Sequence, residues 1–155
     1  MAAADKDSAI TAAEESYVSF RDLVLSTPWD RFAETVAGTW DLDSELAHLA
    51  GWYRELAPGF ARIAAGQSAY AEDYADAEAW NARIDAAKQH AEAALDDFDM
   101  AFHEFYAAAK ACPEEHWGQD SAGDRRPATD LFLGLTVEHQ AEHRLAIEGW
   151  LAGGG

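Results

Sequence analysis

This sequence predicts an all-α fold, a four-helix bundle with long connections, on three observations. Apolar residues recur at steps of three and four along nearly the whole chain, which puts them on one face of a helix. No alternating apolar–polar run rich in β-branched residues occurs, so nothing reads as a half-buried strand and little or no strand is expected. Four periodic segments are separated by polar stretches longer than a tight turn, as in a bundle built around one core.

The first segment runs through Ile10, Ala13, Tyr17, Phe20 and Val24 and stops before "STPWD". A polar connection containing Gly38 leads to "TWDLDSELAHLAGWYREL". There Asp41 suits an N-cap, and Asp43 and Glu45 suit the positive end of the helix dipole. The stripe of this second segment is Leu42, Leu46, Leu49, Tyr53, Leu56 and Phe60, with a kink expected at Pro58-Gly59. "AGQSAYAEDYADAE" reads as a loop. A single long third segment then carries Trp80, Ile84, Ala87, Ala91, Leu95, Phe98, Phe102, Phe105 and Ala109, and Pro113 ends it. After a second loop, "PEEHWGQDSAGDRRP", the fourth segment opens near Pro127-Ala128-Thr129 and runs to Trp150, where "LAGGG" frays. The whole chain reads as one domain, with an ordered core over about residues 8–151.

Composition narrows the function classes. With 155 residues and 49% hydrophobic content the chain is long and apolar enough to bury a core. A formal net charge of −18, spread as single acidic residues, offers no basic stripe to nucleic acid or anionic lipid. One cysteine, Cys112, allows no internal disulfide and fits a reducing compartment. The acidic N-terminus lacks the pattern of a signal peptide, and no apolar run approaches a membrane span. A cytoplasmic protein acting on a small molecule is the expectation, with its acidic residues on a solvated surface.

The chemistry is carried by histidines. On a wheel of about 100° per residue, Phe132, Leu135, Thr136, His139, His143, Ala146, Ile147 and Trp150 fall on one face. His139 and His143 therefore lie on a core-facing stripe, close enough to share an ion. A lone core histidine is commonly satisfied by a hydrogen bond, but two in one apolar stripe demand more partners. His48, in the uncharged stretch from Leu46 to Tyr53, is off the main stripe, but its small neighbours Ala47, Ala50 and Gly51 suit packing against another helix, so it can supply a third imidazole. Three such ligands would leave coordination positions open on a metal such as zinc. A ferritin-like site needs two Glu-x-x-His motifs and only Glu45-Leu46-Ala47-His48 occurs; a zincin needs Glu where Gln140 stands. His90 and His103 read as solvated helix positions, and Pro113 separates Cys112 from His116. The six tryptophans read as mostly core, with Trp52 and Trp117 available to line a pocket. Tyr53 and Glu142 lie near the histidines in sequence, but no residue is marked as a general base.

These residues resemble a known family. "GTWDLDSELAHLAGWYREL" looks like the second helix of the DinB-like superfamily, and "EHQAEHRLAIEGWL" is similar to its last helix. "DAEAWNARIDAAKQHAEAALDDFDMAF" resembles the third helix of its ClbS/DfsB-type branch, so the likeness spans about Trp29 to Leu151. The resemblance implies a four-helix bundle, often dimeric, whose three histidines bind a divalent metal, the matching positions being His48, His139 and His143. It also implies two chemistries. Some relatives are transferases and isomerases that use mycothiol or bacillithiol. The ClbS/DfsB branch includes a self-resistance protein that hydrolyses a reactive cyclopropane without relying on metal. Family membership alone does not choose between them.

Three functions follow as expectations. The first is a thiol transferase or hydrolase in which His48, His139 and His143 hold a divalent ion (zinc, nickel or iron) that activates water or a low-molecular-weight thiol against a small electrophile. The second is a self-protection protein that binds or hydrolyses a genotoxic natural product without needing metal. The third is a binding module with no catalysis. A homodimer through helix faces carrying Tyr106 and Trp117 is expected in each case.

Overall fold

The computed structural model describes residues 5–118 and 128–153 as a mostly helical chain with one short hairpin. Helix α1, Lys6–Leu25, starts where the Asp5 carboxylate accepts the Ser8 N–H at 2.8 Å. It buries Ala9, Ala13, Phe20 and Val24, and ends at Ser26, before Pro28. After a 3₁₀ turn, Trp29–Arg31, the polar connection forms the hairpin β1, Thr35–Ala37, with β2, Trp40–Asp41. Ala37 pairs with Trp40 across a two-residue turn whose first position is Gly38 at φ +58°. That left-handed first position is the type II′ pattern, which glycine adopts without strain.

Asp41 caps helix α2, Leu42–Leu56, accepting the Ser44 N–H at 2.8 Å as its position predicts. Leu42, Leu46, Leu49, Tyr53, Leu56 and Phe60 are all buried, so the apolar stripe is the core face. Pro58 interrupts the helix, and α3, Gly59–Ala64, continues after it. The aromatic core joins Tyr53 and Phe60 to Phe98, Phe105 and Phe132. Each such buried side chain contributes about 1.5–3 kcal/mol of hydrophobic stabilisation.

The expected single third helix is two. Helix α4, Ala77–Ala86, has no fully buried residue, and α5, Glu92–Ala111, carries the stripe of Leu95, Phe98, Phe102, Phe105 and Ala109. Between them Ala91 takes φ +53°, a conformation that breaks the helix and costs a non-glycine residue strain. Asp43 holds it there: its Oδ1 accepts the Ala91 N–H at 2.8 Å, and its Oδ2 bonds His90 Nδ1. His90 is thus exposed as expected, but in this break and not within a helix.

The second expected loop opens with a short helix α6, Glu114–Trp117; its residues 119–127, including the expected helix start at Pro127, lie outside the described residues. The fourth segment is one helical unit: α7, Ala128–Leu133, a π-helical turn, Gly134–Glu138, and α8, His139–Gly153, the last described residue. It packs on α1, while α2 packs on α5 and Tyr17 stacks on Phe102 to join α1 to α5. The tryptophans are less buried than their spacing predicts. Only Trp117 and Trp150 are core residues, and Trp29 is 40% exposed. Among the described residues no helix is long and apolar enough to cross a membrane.

Candidate metal centre

The three histidines predicted to meet do meet. His48 comes from the middle of α2, and His139 and His143 from the first turn and a half of α8. His139 Nε2 lies 3.0 Å from His48 Nε2 and 3.1 Å from His143 Nε2. One nitrogen from each ring can be chosen so that all three lie within 4.8 Å of one another, and this group of residues could hold a metal ion.

Hydrogen bonding alone does not satisfy this arrangement. The carboxylate of Glu45 accepts from His143 Nδ1, so the proton of a neutral His143 sits on Nδ1 and its Nε2 presents a lone pair. His139 Nε2 then faces two other Nε2 atoms, and a proton there could serve both only as one shared three-centre bond, while the Nδ1 atoms of His48 and His139 stay buried without a hydrogen-bond partner. Three converging nitrogens are the donor set a divalent cation takes.

Burial keeps two of these rings neutral. His48 is 8% exposed, and its pKa falls to about 3, first through desolvation and then through the neighbouring imidazoles. His139 falls to about 4 for the same two reasons, with His143 as its neighbour. Neutral imidazoles keep the lone pairs that a metal needs.

The supporting shell was largely hidden in the sequence. Glu45, read as a dipole partner, is 2% exposed and orients His143, the carboxylate–histidine pairing common behind metal ligands. Asp43 is equally buried, so two of the acidic residues expected on the surface belong to the interior. Trp40 packs over His48 at 4.7 Å and stacks parallel to His143 at 6.2 Å, closing one side of the site from the hairpin. Gln140, which excluded a zincin, is buried and donates to the Tyr53 hydroxyl at 2.6 Å while accepting from Ser16 Oγ at 2.8 Å. Tyr53 is therefore held wholly within the core. Its hydroxyl donates to the Leu135 carbonyl in the π-helical turn, and burial pushes its pKa up. Glu142 is exposed beside a smaller cleft of about 230 Å³ that also touches His139.

A larger cavity of about 890 Å³ opens directly on His48 and His139. One wall is a stripe of α2, His48, Trp52 and Leu56, and the facing wall is the 68–74 loop. Trp52 lines it as expected; Trp117 does not, being buried between Phe60 and Phe132. His103 is an exposed neighbour of Tyr17, and Cys112 is buried with its thiol pKa raised by that burial. Neither belongs to the histidine group.

Compared with known proteins, this chain matches no family model, no curated protein and no solved structure.

Proposed function

We propose that the chain is an enzyme of the DinB-like kind, a four-helix bundle in which His48, His139 and His143 hold one divalent ion beside the large cavity. The reading is carried by one observation: His139 Nε2 faces two other imidazole nitrogens at 3.0 and 3.1 Å, so three ring nitrogens converge where at most one shared ring proton could join them. A bound zinc, nickel or iron ion would act as a Lewis acid that lowers the pKa of water or of a low-molecular-weight thiol. The protein's part is to keep His48 and His139 neutral, to fix the His143 ring through Glu45, and to shield the group with Trp40. Glu72 and Asp73 on the cavity wall disfavour a thiol that carries carboxylates, such as bacillithiol, leaving water or an uncharged thiol as the nucleophile.

A second reading, self-protection against a genotoxic natural product without metal, is favoured by the size of the cavity and its aromatic lining. One experiment separates the two. The purified protein is assayed for metal content and for turnover of a panel of small electrophiles, with and without chelator. The metal reading requires about one ion per chain and loss of turnover on chelation. Undiminished turnover in metal-free protein would transfer the site to the second reading, and no turnover of any compound would leave a binding module. The expected homodimer remains part of this proposal, without Trp117, which is buried; light scattering at micromolar concentration tests it.

A further inference from the structure

The cavity beside the histidines is lined by aromatic rings and carboxylates besides the imidazoles. Trp52 and Tyr74 meet edge to face at 5.1 Å and 71°, and Tyr74 meets Tyr70 in the same way at 6.0 Å and 78°. These three half-buried rings thus form successive near-perpendicular walls of one space. The Trp52 ring is fixed in its plane because its indole N–H donates to Asn81 Oδ1 at 3.0 Å.

The formal charges among the lining residues are acidic. Glu72 and Asp73 line the cavity, and no lysine or arginine does so among the described residues. Behind Tyr74, Glu55 accepts its phenol proton. A phenol that donates to a carboxylate gains electron density on its ring, which makes the ring face more attractive to a cation. Burial, Glu55 and Glu72 all push the Tyr74 hydroxyl pKa up, so the ring feels both carboxylates. The same aromatic cluster already takes a cation on another side: Trp80, 5.7 Å from Trp52 and 5.8 Å from Tyr74, carries the Arg83 guanidinium 4.9 Å above its ring.

We propose that this cavity binds an organic cation, an ammonium group on an apolar body, with the charged head among Trp52, Tyr70 and Tyr74 and the body directed along α2 toward His48 and His139. Perpendicular aromatic walls backed by carboxylates are the arrangement that recognises ammonium groups. Trp52 is one helical turn from His48, so a head group seated there leaves the body within reach of the histidines. The proposal names the substrate class for the function given above and rests on that reading only for the role of the histidines.

The test uses metal-free protein in chelator, so its result is independent of metal binding. Binding of phenethyltrimethylammonium, 3-phenylpropionate and 3-phenylpropanamide is measured by calorimetry at low salt. The cation should bind roughly tenfold more tightly than the neutral amide, and the anion more weakly than either. Trp52→Leu and Tyr74→Leu should each weaken the cation by roughly fivefold or more while leaving the amide within about twofold. Trp29→Leu, at an exposed tryptophan outside the cavity lining, should change nothing. Glu72→Gln with Asp73→Asn should reduce the preference for the cation over the anion without unfolding the protein, as a circular-dichroism spectrum checks. Equal affinity for cation and anion, no binding of the cation to the wild type, or a Trp52→Leu variant with undiminished cation affinity would each overturn the proposal. If the ion fails to bind but the cation preference holds, the metal reading fails and this one stands.

Discussion

Two carboxylates stand two residues apart in the first turn of α2, and each takes a histidine from far along the chain. Asp43 bonds His90, and Glu45 bonds His143; both acid side chains are only 3% exposed. The difference is in the histidines. The His90 side chain is 68% exposed, while that of His143 is 11% exposed and turns its other nitrogen toward two more imidazoles. Asp43 spends its second oxygen on the Ala91 N–H, so its pair shapes a chain break. Among the described residues Glu45 has no such backbone bond, and its pair orients one ring of the histidine group. The same interaction therefore builds a turn in one place and a group of three histidines that could hold a metal ion in the other, according to what the far side of the ring meets.

The largest expected effect comes from acid and belongs to the histidine centre. In the unfolded chain His48 and His139 protonate near the ordinary 6.5, but in the fold only near about 3 and about 4. Between those values the unfolded chain binds more protons, so this contribution to stability is fully present above 6.5 and is lost as pH falls. Thermal unfolding of metal-free protein should show a clear drop in Tm between about pH 7.5 and about pH 5. Replacing both His48 and His139 by Gln should shrink that drop; an unchanged drop would mean the rings are not held neutral.

Next in size, Glu45→Gln should lower metal affinity by roughly 10–100-fold while the helical spectrum is kept. Asp43→Ala should do the converse. It leaves the Ala91 N–H without its partner and is expected to cost about 1–3 kcal/mol in a denaturant titration, with metal stoichiometry unchanged. If Asp43→Ala lost the ion as Glu45→Gln does, the two regions would not be separable. The smallest effect sharpens the chain-break side: Ala91→Gly relieves the φ of +53° and should stabilise the protein by about 1 kcal/mol.

The contrast also explains what could be read from the sequence. The α2 stripe, the Asp41 cap and the pairing of His139 with His143 follow from spacing, because burial repeats with the helix; His48 lies off the α2 stripe and was legible from its small, uncharged neighbours and from the family resemblance. The break at Ala91 was not legible. No glycine or proline marks it, and the group that enforces it is Asp43, 48 residues away. Glu45 was hidden for the same reason, its partner lying 98 residues on, although an acidic residue three before a core histidine is a usable signal. The cavity wall from Tyr70 to Tyr74 read only as a loop, since local spacing says nothing about what a loop folds over.

Metal titration of the wild type beside His48→Ala, His139→Ala, His143→Ala, His90→Ala and His103→Ala addresses the central claim most directly. The wild type should take up about one zinc or nickel ion per chain. Each of the first three variants should lose far more than the roughly 10–100-fold expected of a change behind the ligands, and His90→Ala and His103→Ala should bind as the wild type does. A His139→Ala variant that binds the ion as tightly as the wild type would contradict the three-histidine centre.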